Sequence, residues 1–391
     1  MSDAPLIYLI AGEPSGDLLA ARLMAALRDL TNGQVRFAGI GGEAMRDEGL
    51  DSLFPQADLA VMGLAEVLPR IPRILRRLKE TMSDIAAKQP AIIVTVDSWG
   101  FTGRVAKKLK AAGSTIPRLH YVAPMVWAWK EKRVHQLAER VDRLLCLLPN
   151  ETDAFEKAGL PSVHVGHSVL ESGVEQGDGA GFRARHGIAP QAPLLCVLPG
   201  SRRSETSRLL PVFRQTVALL AAGRPGLRVV VPTVETVAAE VETEVSHWPV
   251  PVTVVKGRAA RYDAFAASQV ALAASGTVAL ELALARVPMV IAYRLSPLTA
   301  FLARRLIKLR FVCLINLLLD RAVVPELLLD DCRPDKLSAA LAPLFDSQDA
   351  RTEQLVGAAE ALQSLGFGGG SQSHRAAAEV LSMIHQKVPH E

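Results

Sequence analysis

The chain has 391 residues, of which 49% are apolar and 21% charged, with a formal net charge of +4. That length predicts two domains, the apolar content is ample for two cores, and the balance excludes a disordered chain and, by total charge, a nucleic-acid binder. No run of about 18 apolar residues is free of charge and the first residues carry no basic leader, so the reading is a cytoplasmic protein without a membrane span.

Taken in order, short β-branched runs alternate with helical patterns, the grammar of an α/β fold. Residues 6–11 (LIYLIA) predict a strand, and Gly12-Glu13-Pro14-Ser15-Gly16-Asp17 a turn into a helix over residues 18–30. The turn has neither the glycine spacing of a dinucleotide fingerprint nor the Gly-Lys-Ser/Thr ending of a P-loop. Glu13 and Asp17 put two carboxylates at a strand's C-terminal edge, where open α/β sheets bind ligands; helix capping explains them equally well. Residues 37–40 predict the next strand. In residues 70–79, Ile71, Ile74, Leu75 and Leu78 recur at helical spacing beside Arg70, Arg73, Arg76, Arg77 and Lys79. Such a helix lies either on the protein's own core or on an anionic membrane.

Residues 91–96 read as a buried strand that ends at Asp97-Ser98-Trp99-Gly100-Phe101, and an acid at a strand end makes Asp97 a candidate general base. The strand at residues 118–122 leads to Trp127 and Trp129, which suit stacking on a sugar, an acyl region or a core. After a strand at residues 144–148, His164 and His167 lack a third ligand and read as structural or substrate-contacting. Residues 171–181 (ESGVEQGDGAG) read as a linker. Cys146, Cys196, Cys313 and Cys332 have no paired metal-ligand spacing and are expected as buried thiols.

A second strand series follows, at residues 194–198, 229–231, 252–255 and 269–273. The first of these runs into Gly200-Ser201-Arg202, where backbone donors and a guanidinium make an anion cradle. The last runs into Ser275-Gly276-Thr277 at a helix start, whose N–H groups favour a phosphate. Glu281, one turn further on the same face, suits the hydroxyls of a sugar or ribose; capping is the plain alternative for both. Residues 301–319 are apolar but interrupted by Arg304, Arg305, Lys308 and Arg310, a pattern for a lipid interface or for burial between domains. Residues 366–391 are a glycine run and a last helix. The expected organisation is a first doubly wound domain over residues 1–172, a second over 182–365, and a tail packing back on the first.

Six motifs occur in sequence: AGEPSGD (11–17), VMGLAEVL (61–68), HYVAPMVWAWKEKRV (120–134), LPGSRRSE (198–205), ASGTVALE (274–281) and VVPELL (323–328). With them the chain resembles, over nearly its full length, the lipid-A-disaccharide synthase family. The resemblance implies the GT-B architecture of two Rossmann-like domains, acceptor side first and UDP-sugar side second. It implies transfer of 2,3-diacylglucosamine from UDP-2,3-diacylglucosamine to 2,3-diacylglucosamine 1-phosphate, with inversion to a β-1,6 link and release of UDP. Asp97 is then the expected base, with Glu13 as contributor or rival. Ser201, Arg202, Ser275, Gly276, Thr277 and Asn316 are expected on UDP, and Glu281 on its ribose. No cofactor or metal is implied, the cytoplasmic face of the inner membrane is the expected partner surface, and a homo-oligomer is left open.

Three positions depart from the family pattern. Residues 97–101 read D-S-W-G-F where D-x-P-D-F is common, so Gly100 replaces a second acid. Cys313-Leu314-Ile315-Asn316 keeps the asparagine of S-L-P-N but loses its proline, and Gly166-His167 is followed by Ser168. A non-catalytic UDP-sugar or lipid-binding homologue is therefore a rival, as is a related UDP-GlcNAc-type enzyme with another acceptor.

Overall fold

The computed structural model describes residues 4–59, 64–124, 131–295 and 310–386. They form two compact units, Met1–Ser168 with Gly368–Glu391, and Val169–Phe367.

In the first unit the strands are β1 (Leu6–Ala11), β2 (Arg36–Ile40), β3 (Ile92–Val96), β4 (Arg118–Tyr121), β5 (Arg143–Cys146) and β6 (Ser162–His164). Between them run α1 (Pro14–Leu30), α2 (Glu43–Asp47), α3 (Leu64–Lys88), α4 (Trp99–Ala111), α5 (Glu131–Ala138) and α6 (Thr152–Glu156). All pairings are parallel, in the order β2-β1-β3-β4-β5-β6. Every residue of IIVTV in β3 is buried, as a parallel strand covered on both faces requires. Each Val or Ile so buried stabilises the fold by about 1.5–3 kcal/mol before conformational entropy is counted.

The second unit holds α7 (Gly179–Arg185), β7 (Leu194–Leu198), α8 (Arg203–Ala222), β8 (Arg228–Thr233), α9 (Ala238–Val245), β9 (Val252–Lys256), α10 (Arg258–Ala267), β10 (Val270–Ala274) and α11 (Val278–Leu284). After these come β11 (Met289–Tyr293), α12 (Leu314–Leu319), β12 (Glu326–Leu328), α13 (Pro334–Asp346) and α14 (Gln348–Ser364). Its sheet is also parallel, in the order β12-β11-β10-β7-β8-β9. The last helix, α15 (Gln372–His385), belongs to the first unit. There Ala376, Ala377, Val380 and Ile384 join the core that holds Leu23, Met24 and Leu27 of α1. Arg375 donates to the Val165 carbonyl (2.9 Å), and Arg143 pairs with Glu379 (2.6 Å).

Three local expectations are corrected. The turn after β1 is shorter than the motif suggests, because Pro14, with its preset φ and missing N–H, opens α1 directly. Asp17 therefore lies inside the helix, where it is 6% exposed and caps α2. Its carboxylate accepts from the backbone N–H groups of Gly42 (2.7 Å), Ala44 (2.9 Å) and Met45 (3.2 Å). A Cβ at Gly42 would lie 2.6 Å from that carboxylate, which accounts for the glycine. Finally, residues 171–181 are no free linker: Gly177 and Gly179 pass so close to α10 that a Cβ would meet the carbonyls of Tyr262 and Ala266. Asp178 caps α7 through the Gly181 N–H, and its own N–H bonds Asp263.

Candidate active site

Open parallel sheets bind ligands outside the carboxyl ends of their strands, at the point where strand order reverses. In the first unit that point lies between β1 and β3, and in the second between β7 and β10.

At the first, β3 delivers Asp97. Asp97 and Ser98 both adopt left-handed backbone, with φ of +51° and +47°. Two consecutive non-glycine residues there cost on the order of 1–3 kcal/mol each, so the surroundings must over-determine them. Thr102, fully buried on α4, does so by donating its hydroxyl to the carbonyls of Asp97 (2.9 Å) and Ser98 (3.1 Å). The Asp97 N–H bonds the Tyr121 carbonyl of β4 at 2.9 Å. Gly12 completes the mount: a Cβ there would sit 2.7 Å from Ser98 Oγ, so the glycine after β1 makes room for the bend after β3. Gln56 donates to the carbonyls of Ala11 (2.9 Å) and Glu13 (3.1 Å), fixing the neighbouring turn. Asp97 and Glu13 are both half-buried on this rim. Gly100 is exposed in the first turn of α4, and a Cβ there would meet no atom within 4 Å.

At the second, the loops after β7 and β10 line a cavity of about 410 Å³ with Gly200, Ser201, Arg202, Ser275, Gly276, Thr277 and Glu281. Gly200 has φ of +103°, and a Cβ would collide with Glu205, which turns back to accept from the Ser201 N–H (3.1 Å) and from Arg202 (3.4 Å). Arg202 stays exposed, a permanent charge able to meet an anion with two donors. Glu281 comes from α11 and is 14% exposed in its side chain. Burial holds its carboxyl above the ordinary carboxylate range, while Arg261 and then Arg258 pull it back. Arg261 bonds it at 2.8 Å and lines the same cavity.

Eight of the nine site residues expected from the sequence thus line this cavity or lie on the rim between β1 and β3. Ser275 lines the cavity and also donates to the Val312 carbonyl (3.3 Å). Asn316 is placed otherwise. It is 1% exposed, its amide nitrogen donates to the Val324 carbonyl and to Glu326 (both 2.7 Å), and its oxygen accepts from the N–H groups of Val323 and Val324 (both 2.8 Å). That is the full hydrogen-bonding capacity of an asparagine amide. Glu326 in turn accepts from the N–H groups of Val312 (2.8 Å) and Cys313 (3.2 Å), so Asn316 secures the loop that Ser275 touches.

Sequence reasoning missed Thr102, Gln56 and Arg261. For Arg261 a signal existed: Arg258 and Arg261 open α10, whose first turn has no acid, and cations at a helix's positive end need a compensating partner. Trp127, Trp129, Arg304, Arg305 and Lys308 lie outside the described residues.

Two parallel doubly wound sheets, one presenting a carboxylate on strained backbone and the other a loop cavity lined by arginines, make up a two-domain α/β protein of the GT-B fold class. A profile described as lipid-A-disaccharide synthetase matches residues 7–380, and the chain belongs to that family. It is 61% identical over 383 residues to lipid-A-disaccharide synthase of Paramagnetospirillum magneticum, covering 97% of this chain and 98% of the relative. With the enzyme of Rhodospirillum centenum it shares 54% identity, covering 98% and 96%. Among solved structures, UDP-GlcNAc 2-epimerase from Neisseria meningitidis bound to UDP-GlcNAc superposes with a TM-score of 0.63 at 9% identity (98% and 100% covered). MurG of Acinetobacter baumannii gives 0.55 at 14% (97% and 99% covered). At such identities these two share the fold alone.

Proposed function

We propose that the chain joins two acylated glucosamines, moving 2,3-diacylglucosamine from UDP to 2,3-diacylglucosamine 1-phosphate. The observation that carries this is the family membership over nearly the whole chain, together with a carboxylate mount in one unit and an anion cavity in the other. The acceptor 6-hydroxyl attacks the anomeric carbon, its proton passes to Asp97, and the bond from that carbon to the diphosphate breaks with its electron pair leaving on UDP. One in-line displacement inverts an α-linked donor to a β-linked product. Arg202 and the Ser275-to-Thr277 loop meet the charge that grows on the diphosphate, Ser201 orients it, and Glu281 accepts from the ribose hydroxyls. Glu13 lies near enough to the rim to rival Asp97 as base. In this reading protein donors do the work a metal would do.

The α3 face supports an interfacial role. Leu78 is buried and Ile74 half-buried against the core, while Ile71 (37% exposed) and Leu75 (53%) stay outside beside exposed Arg73 and Arg76. Apolar side chains among cations suit an anionic lipid surface, from which both acylated substrates would be drawn. Among the described residues no helix is long and apolar enough to cross a membrane.

The decisive assay is UDP release in detergent with a chelator, given both substrates, alongside Asp97→Ala and Arg202→Ala. Acceptor-dependent release that falls in both variants supports the reading. UDP binding without release supports instead a binding-only homologue, the alternative that Gly100 favours, and an unaffected Asp97→Ala moves the base to Glu13.

A further inference from the structure

Arg261 has no role in the reading above, yet its geometry is specific. It stands in the first turn of α10, where the helix dipole disfavours a cation, and its side chain reaches the cavity to meet Glu281 of α11. The other arginines near that carboxylate are engaged: Arg258 donates to the Ser172 carbonyl (2.6 Å) and to the Tyr262 hydroxyl (3.2 Å), and Arg202 pairs with Glu205 (3.4 Å). Among the described residues Arg261 is therefore the ion-pair partner of Glu281. The Tyr262 side chain also hydrogen-bonds Glu281, but a carboxylate this enclosed that loses its bonded cation turns away or takes up a proton, and either change removes an acceptor from the cavity wall.

We propose that Arg261 is the positioning residue for sugar-ring recognition in the nucleotide, fixing the Glu281 carboxylate where it accepts from the ribose hydroxyls. This rests on the reading of Glu281 as the ribose contact. The planar guanidinium sets the direction of the carboxylate as well as compensating its charge, so the pair acts as one recognition unit built from two helices. Its effect falls on nucleotide affinity and on the choice between ribose and deoxyribose, and not on the chemical step.

The test is calorimetric binding of UDP and 2′-deoxy-UDP to the full chain and to Arg261→Met, Arg261→Gln, Arg261→Lys and Glu281→Gln, with steady-state kinetics on each. The expected result is a wild-type preference for UDP of about tenfold or more, the size of a charged hydrogen bond. Arg261→Met and Arg261→Gln should weaken UDP by about tenfold, leave 2′-deoxy-UDP within about twofold, and so abolish the preference. Arg261→Lys, which keeps the charge without the fork, should restore a large part of it. Donor KM should rise while kcat stays within about threefold. If the Met and Gln variants keep the preference while Glu281→Gln loses it, the proposal fails alone. If Glu281→Gln also keeps it, the underlying ribose reading fails. Equal weakening of both nucleotides by the Arg261 variants also overturns the proposal, because it marks general loss of charge or packing.

Discussion

The two switch points are built by opposite means. Between β1 and β3 the rim is set by backbone held in an unfavourable conformation: Asp97 and Ser98 are left-handed, with Thr102, Tyr121 and Gly12 keeping them so. Between β7 and β10 it rests on charge, with Arg202, Glu205, Arg261 and Glu281 disposed around a cavity. A proton acceptor must be aimed to within fractions of an ångström, whereas a diphosphate needs a field and several donors. Rigidity at one rim and electrostatics at the other are what the proposed reaction asks of each.

The largest test of this contrast is acid. His120 (held down to about 3), His167 (to about 4) and His164 (lowered) are kept neutral by burial, and all three belong to the first unit. Each folded pKa is below the unfolded value of about 6.5, so the unfolded chain binds more protons and stability falls as pH drops below that value. The loss runs at about 1.4 kcal/mol per pH unit for each group, until the folded pKa is reached. By pH 5, His120 and His167 together should take on the order of 4 kcal/mol from the first unit. Hydrogen exchange at pH 7 and pH 5 should record opening of the first unit's core before the second's; simultaneous opening would erase the distinction.

Next in size is Asn316→Ala, which strips partners from Val323, Val324 and Glu326 and should lower stability by about 3 kcal/mol in denaturant unfolding. UDP affinity of the folded variant should change less than about threefold, since the amide faces its own chain. A large affinity loss with little destabilisation would return Asn316 to the nucleotide.

Thr102→Val removes the hydroxyl that holds Asp97 while preserving shape. It should lower kcat by about tenfold to a hundredfold with UDP affinity intact, and Thr102→Ser should recover most of it. An unchanged kcat would make the mount irrelevant to turnover. The smallest effect is expected from Gly100→Asp. The position has space for a side chain, and an acid in the first turn of α4 should raise stability by about 0.5–1 kcal/mol. Thermal unfolding reads that gain, and kcat should move by less than about threefold. A larger rise would assign the second family acid a part in catalysis.

Much of this was legible in the linear chain. Residues 6–11 and 194–198 are strands with those bounds, because a strand buried on both faces leaves a continuous apolar run, ended here by Gly12 and by Pro199-Gly200. The glycine loops and Asp97 could be read for the same reason: they fall where such runs stop. Asp17 misled because a carboxylate at a strand's edge looks alike whether it meets a ligand or caps α2, 27 residues away at Ala44. The intrachain bonding of Asn316 was not legible, because motif identity carries no information on which way an amide faces.

By itself, then, the sequence determined the alternation of strands and helices, the two sheets, the family and the loops at the two switch points, since each is written in local periodicity or in a contiguous motif. Tertiary structure alone decided which polar groups remain for a substrate. Thr102 acts on Asp97 from the next helix, Gly12 yields space to Ser98 of another strand, and Arg261 reaches Glu281 across 20 residues. Hydrogen bonds and steric exclusion act over a few ångströms in space regardless of separation along the chain, so those partnerships exist only once the sheets have formed.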